Sequence, residues 1–402
     1  MSLKWGTIVP LIGGLTLAGK RATGQDPNFL LTYTPFGENE KNVRAYFPNV
    51  PYHQLDTEDR GGFDVAANRD VDFVQALCPC AGLSLLSSGS PEQRAKQNYW
   101  MLETAKFMTG ELRPRVFWGE NAPGLYSNTG EHVRNELRQI GERNGYSFSV
   151  YATSTHFHGI PQTRKRTFYF FWRDGEAPVM EYYRKPVKNF TEYMREVPKD
   201  SIHHTADDIQ AARDTLNTNP FIMFLQEKHD GKGIEKMREW LVRKDMKSFT
   251  LNTYLLLSEQ FEECMDWLKQ RGHDKHLRLA QKVWEKVTSK GGFWDGSFPM
   301  YRGDLMFATL ISRTLYAIHP EEERVLTTRE MMHLMGMPHD LPLVTGGLNH
   351  ICQNVPVSTG ADMTNEVIAY LRGERESSGA RFTMQSNITQ RIDHSESALL
   401  SF

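Results

Sequence analysis

The sequence predicts an α/β protein: a doubly wound, mostly parallel sheet interrupted by a largely helical lobe. Three observations carry that expectation. The chain opens on a strand, a Gly-Gly turn and a helix; short apolar runs then alternate with polar amphipathic stretches as far as residue 173. From about residue 174 to 292 that alternation gives way to helices rich in Lys, Arg and Glu.

Taken in order, residues 6–11 ("GTIVPL") read as a short buried strand, and Gly13-Gly14 start a helix through Lys20. A glycine turn between strand and helix opens many nucleotide sites, and any tight turn also needs it. Residues 71–77 ("VDFVQAL") form another strand, 113–121 ("RPRVFWGEN") contain a third, and 166–173 ("RTFYFFWR") a fourth. Polar helices lie between them at 93–109 and 130–144, the second ending at the cap Gly145. In such sheets the sites gather beyond the carboxyl ends of the strands. The loop "CPCAGLS" after Leu77 lies at such an end.

The lobe contains "TEYMREV", "IEKMREWLVRK" and "SEQFEECMDWLKQR", all amphipathic helices. Its basic clusters "RKPVK" and "KQRGHDKHLR" suit either a solvated helix face or a surface that tracks phosphates. No internal repeat interrupts the pattern.

Composition excludes several classes. A chain of 402 residues with 39% hydrophobic and 24% charged residues is an ordinary globular protein, long enough for two lobes. No apolar run reaches the roughly 18–20 residues that cross a bilayer, and the N-terminus has no basic leader, so no membrane association and a cytoplasmic location are expected. Four cysteines do not make a disulfide framework. A net charge of −2 is compatible with nucleic acid, because a local basic cluster can supply phosphate contacts on an acidic protein.

Three constellations carry chemistry. Cys80, just past a strand end, suits a reactive thiolate, whereas Cys78 reads as core. No Cys-x-x-Cys or His-x-x-x-His partner accompanies them, so no metal site is expected. Glu120-Asn121 follow the apolar strand directly, which suits a carboxyl of raised pKa and, equally, a helix-capping pair. Gln162, Arg164 and Arg166 alternate into a strand, so that both arginines face one side and can fork onto a carboxylate, a phosphate or a base carbonyl. A plain ion pair with Glu120 is the simpler reading.

The order of these pieces is more specific than any one of them. Pro79-Cys80, then Glu120-Asn121, then Gln162-x-Arg164-x-Arg166 resembles the cytosine-C5 DNA methyltransferase family. Beyond the lobe, "HPEEERVLTTREMMHLMGMP" (residues 319–338) is similar to the family's Arg-x-Leu-Thr-x-Arg-Glu helix, and "QNVPV" (353–357) to its closing Asn-x-Val-Pro segment. The matches cover roughly residues 6–173 and 301–372.

The resemblance implies a class I methyltransferase sheet of the Rossmann-like type, with a catalytic domain built from residues 1–173 and 301–402 and a target-recognition lobe at 174–300. It implies methyl transfer from S-adenosylmethionine to C5 of cytosine in double-stranded DNA, by a monomer in a bacterial or phage-infected cell. Cys80, Glu120, Arg164 and Arg166 would be catalytic. Ile12, Gly13, Gly14, Leu15, Glu38, Asp56, Pro79, Asn354 and Val355 would hold the cofactor, with Asn121, Gln162 and Ser84 supporting the loops. The chain departs from the family at Val9 and Leu11, where the cofactor loop normally has Phe and Gly, and at Ala81, where Gln follows the nucleophile. The ribose-binding acid falls on Glu38 or Glu40. These departures keep two other readings open: a DNA-binding relic without turnover, and an enzyme attaching a different group to cytosine.

Overall fold

The computed structural model describes residues 2–56, 59–78, 81–83, 91–290, 298–314, 316–345 and 348–393. The chain divides into two compact units. One comprises Met1–Val187, Met335–Met337 and Pro342–Phe402; the other comprises Lys188–Leu334 and Pro338–Leu341.

The strands in chain order are β1 (Trp5–Ile8), β2 (Phe29–Tyr33), β3 (Tyr52–Leu55), β4 (Phe73–Leu77), β5 (Val116–Asn121), β6 (Tyr146–Ser154), β7 (Lys165–Arg173), β8 (Ser248–Phe249), β9 (Met300–Tyr301), β10 (Phe382–Ser386) and β11 (Arg391–Asp393). The first unit is built on a nine-stranded sheet of order β11-β10-β6-β7-β5-β4-β1-β2-β3. Its β3 to β5 half is entirely parallel, and β7 enters antiparallel between β5 and β6. The expected strand at 166–173 is therefore present, but it runs against its neighbours. A connection of only ten residues from β6, 155–164, permits this where a parallel partner would need a longer crossover.

Central strands buried on both faces read as continuous apolar runs, and β4 (FVQAL) and β5 (VFWGEN) are buried at every residue. Successive side chains alternate between the two faces. Phe117 and Phe171 stack at 5.5 Å on one, within a core that also holds Met101, Leu137 and Phe148. Trp118 and Phe170 stack at 5.8 Å on the other, in a core with Trp5, Met363 and Val367. The helices of this unit are α1 (Gly14–Thr23), α2 (Glu40–Tyr46), α3 (Pro91–Phe107) and α4 (Glu131–Arg143); after the second unit follow α13 (Asn349–Gln353) and α14 (Val357–Leu371). Leu15 and Val367 place α1 and α14 against the tryptophan face, and Met101 and Leu137 place α3 and α4 against the other.

The second unit holds α5 (Phe190–Met194), α6 (Ala206–Asn217), α7 (Pro220–Lys228), α8 (Gly233–Arg243), α9 (Leu251–Leu257), α10 (Phe261–Gln270), α11 (Asp274–Lys290) and α12 (Thr328–His333), with β8 and β9 as a two-residue ladder. Its core includes Phe221, Met237, Trp240, Leu255 and Phe261.

The passages between units lie later than the expected boundaries at 173 and 300. Residues 178–187 stay with the sheet because Val179 N–H donates to Glu376 O (2.9 Å) and Lys185 Nζ pairs with Asp362 Oδ1 (2.6 Å). The Arg-x-Leu-Thr-x-Arg-Glu segment belongs to the helical unit for an equally local reason. Arg324 forks onto Glu330 with both bonds at 2.7 Å, Thr327 and Glu330 form a capping box on α12, and Arg329 Nε donates to Ile202 O at 2.8 Å. No described helix is long and apolar enough to cross a membrane.

Candidate active site

β4 and β5 deliver their loops side by side, because Leu77 and Glu120 are register partners. Beyond them, the turn after Glu120 lies so close to the chain after Cys80 that a Cβ on Gly124 would stand 2.2 Å from Leu83 O. Cys80, Pro79 and Ser84 lie outside the described residues. Cys78 is core, as its sequence context suggested: its thiol is within hydrogen-bonding distance of Thr104 Oγ1 (3.6 Å), and burial pushes its pKa up to about 11.

Glu120 is buried, and its Oε1 stands 2.5 Å from Arg166 Nε. Burial raises the carboxyl above the ordinary carboxylate range, against the opposing pull of the Arg166 and Arg164 charges. This is the balance a group needs to hold and release a proton near neutrality. Asn121 is also buried; its Oδ1 accepts from Ala122 N–H (2.9 Å), which shapes the turn after the strand.

The arginines divide their work. Arg166 faces Glu120, whereas the buried Arg164, just before β7, donates from Nη2 to Cys352 O (2.7 Å) and Asn354 O (3.2 Å). Asn354 is itself buried and accepts from Gly14 N–H at 2.9 Å through Oδ1, while its Nδ2 donates to His350 O at 2.7 Å. Residues near positions 14, 164 and 354 are thereby tied into one assembly at the start of α1. Gln162 is buried nearby, its amide 3.9 Å from the Met335 sulfur.

The turn before α1 is unusual. Gly13 takes φ 97°, natural for glycine, but Val9 (54°) and Leu11 (50°) also occupy the left-handed region. For a β-branched residue that is a strained conformation, costing on the order of 1–3 kcal/mol. Leu11 thus keeps the backbone shape that a glycine would give. Ile12, Leu15 and Val355 are buried and form the apolar floor of this end.

Neither glutamate of "TPFGENE" is free. Glu38, exposed, accepts from His350 Nε2 at 3.0 Å, and Glu40 pairs with Arg44 at 2.6 Å. Between them, Asn39 is buried with its side-chain oxygen unbonded, and Thr16 in the first turn of α1 has a buried hydroxyl in the same condition. The sequence pointed to the acids and passed over Asn39, because an amide between two glutamates gives no signal until its burial is known. Asp56 is exposed just past β3, with its N–H donating to Asp59 O (2.7 Å).

With this geometry in view, the comparisons decide the family. The model of the C-5 cytosine-specific DNA methylase family matches residues 12–348. The chain belongs to that family. Among relatives of this chain, the type II methyltransferase M.AgeI of Thalassovita gelatinovora is 32% identical over 106 residues, 26% of this chain and 24% of that protein. DNA (cytosine-5)-methyltransferase 1A of Oryza sativa is 23% identical over 312 residues, 67% of this chain and 20% of the relative. The chain thus spans a quarter or less of these two curated relatives. In fold it is similar to the Entamoeba histolytica methyltransferase EhMeth (TM-score 0.54, 11% identity, 92% of this chain and 99% of that one). It is likewise similar to S. pombe Dnmt2 (TM-score 0.51, 13% identity, 92% and 98%).

Proposed function

We propose that this chain transfers a methyl group from S-adenosylmethionine to C5 of cytosine in double-stranded DNA, through a covalent bond between Cys80 and C6. The observation that carries the reading is the buried Glu120–Arg166 pair at the carboxyl end of β5, beside the strand that leads to Cys80.

The cofactor's fit can be judged from the residues. The Gly13-Gly14 turn opens α1, whose first-turn amides favour a carboxylate, and Asn354 and Arg164 hold that turn in place. The unbonded oxygens of Asn39 and Thr16 suit a ligand that brings hydroxyl and amino groups, and Asn39 adds an acceptor to Glu38 for the ribose. Asp56 would take the adenine amino group. When bound, the cofactor supplies an electrophilic sulfonium methyl group.

Cytosine C5 is too electron-poor to attack that methyl group directly. Addition of the Cys80 thiolate to C6 breaks the C5–C6 double bond, and Glu120 gives a proton to N3 as charge develops there. The resulting enamine is nucleophilic at C5, which would take the methyl group as the S–CH3 bond breaks and the sulfur leaves as a neutral thioether. Solvent water then takes the C5 proton, which re-forms the C5–C6 double bond and expels the thiolate, while the N3 proton returns to Glu120. Arg166, held by Glu120, would bond the O2 edge, and Arg164 acts by fixing the Asn354 segment. A stacked base is out of reach of such a pocket, so the cytosine must swing out of the duplex.

Bisulfite sequencing of DNA from cells expressing the protein, beside a Cys80→Ser control, tests the reading. New protected cytosines in a fixed sequence context, absent from the control, are expected; their absence from both would overturn it. The strained Val9 and Leu11 favour the relic as the second reading. It predicts DNA binding with no saturable heat on titration with S-adenosylmethionine.

A further inference from the structure

The two basic clusters that the sequence assigned to the lobe have different fates. In "RKPVK" the charges are engaged locally: Lys185 with Asp362, Lys188 with Glu196, and Arg184 with Asn387 O at 2.9 Å and over the Phe157 ring at 4.0 Å. "KQRGHDKHLR" leads instead into α11, where Lys275, Arg278, Lys282 and Lys286 recur at intervals of three and four and are all exposed. That spacing places them in one stripe along the helix, about 16 Å long at 1.5 Å per residue. Ala280 and Val283 are buried on another side of the same helix. Among the described residues, Lys275, Arg278 and Lys282 make no ion pair, and Asp274 and Glu285 border the stripe on the Arg278 side.

Charge is segregated here. Residues 269–290 contain seven Lys or Arg and two Asp or Glu, a local charge of +5 in a chain of net −2. A solvated helix would more usually interleave its charges; a single-sign stripe matches a regularly spaced polyanion.

Resting on the proposed function, we infer that the α11 stripe of Lys275, Arg278 and Lys282 is a phosphate-tracking surface for duplex DNA, contributing affinity without reading sequence. Such contacts release condensed counterions, so each contributes about 0.9 to the slope of log K against log salt. The test compares the wild type with K275Q/R278Q/K282Q and with a control, K199Q/K232Q/K244Q, whose three lysines are exposed but scattered over the same unit. Binding to duplexes with and without the methylated sequence is measured by fluorescence anisotropy from low to moderate salt. The stripe variant should bind both duplexes more weakly by the same factor, with the slope reduced by about 2.7. The control should keep the wild-type slope.

An unchanged slope in the stripe variant, or an equal loss in the control, overturns the inference and leaves the proposed function standing. So does a loss confined to single-stranded RNA or to anionic vesicles. A wild type that binds no duplex at any salt overturns both.

Discussion

Glu120 Oε1 and Arg166 Nε stand 2.5 Å apart, the carboxylate buried and the guanidinium nearly so, on adjacent antiparallel strands. Burial lifts the Glu120 pKa while the two arginines restrain it, so the group is held between donor and acceptor roles. Glu120→Gln should lower kcat on the order of 10²-fold or more, the usual contribution of a positioned acid. The pH profile supplies the sign: in the proposed mechanism Glu120 would give its proton only in the protonated form, whose population falls as pH rises through its elevated pKa. The alkaline fall in rate should therefore disappear in the variant; an unchanged alkaline limb would assign it to another group.

Asn354 joins the glycine turn to the Arg164 guanidinium. Asn354→Ala removes the acceptor of the Gly14 N–H and a buried volume together, and should cost about 1–3 kcal/mol in denaturant unfolding. Calorimetry should also show weaker binding of S-adenosylhomocysteine, whereas a stability loss with unchanged affinity would reduce Asn354 to a packing role.

Tyr169 touches Cys78, just past β4, and Gly119 in β5. Its hydroxyl is 3.9 Å from the Cys78 sulfur, and a Cβ on Gly119 would stand 2.4 Å from that oxygen. Gly119→Ala should therefore destabilise by about 1–3 kcal/mol through overpacking. The cost of Gly119→Ala should be smaller in a Tyr169→Leu background, since leucine removes both the hydroxyl and the ring carbon Cζ, 2.5 Å from the added methyl group. Strict additivity in the double-mutant cycle would contradict the contact.

The Arg324–Glu330 pair predicts an acid-sensitive helical unit. Burial alone would raise the Glu330 carboxyl, but hydrogen bonds from Arg324 and the nearby His319 and Arg324 charges more than offset this and hold its pKa low. The associated stability is present above the unfolded carboxylate value of about 4.3 and is lost as pH falls through the depressed one. Arg324→Met should cost about 3–5 kcal/mol at neutral pH by stranding a buried charge. The gap between variant and wild type should narrow on acidification; a gap independent of pH would show that the pair is not the source.

Much of this was legible in the sequence. The strands β1, β4, β5 and β7 were visible as apolar runs, and the motif order placed Glu120, Arg166 and Asn354 in one unit before any distance was known. What escaped has physical reasons. β6 (YSFSVYATS) is buried at every residue yet alternates hydroxyls with aromatics, which disguises a core strand. The reversal of β7 depends on its partners, not its own residues. Arg164 and Arg166 share a motif, but only the fold shows that one serves Glu120 and the other the Asn354 carbonyl. Asn39 and Tyr169 matter through burial and contact alone, which spacing does not encode.

The most direct measurement replaces the target cytosine with 5-fluorocytosine in duplex DNA, adds S-adenosylmethionine, and analyses the mixture by denaturing electrophoresis and mass spectrometry. Fluorine cannot leave C5 as the proton does, so a covalent protein–DNA adduct should accumulate with its linkage at Cys80, and none should form with Cys80→Ala. Methyl transfer with no adduct, or an adduct mapped to another residue, would contradict the account.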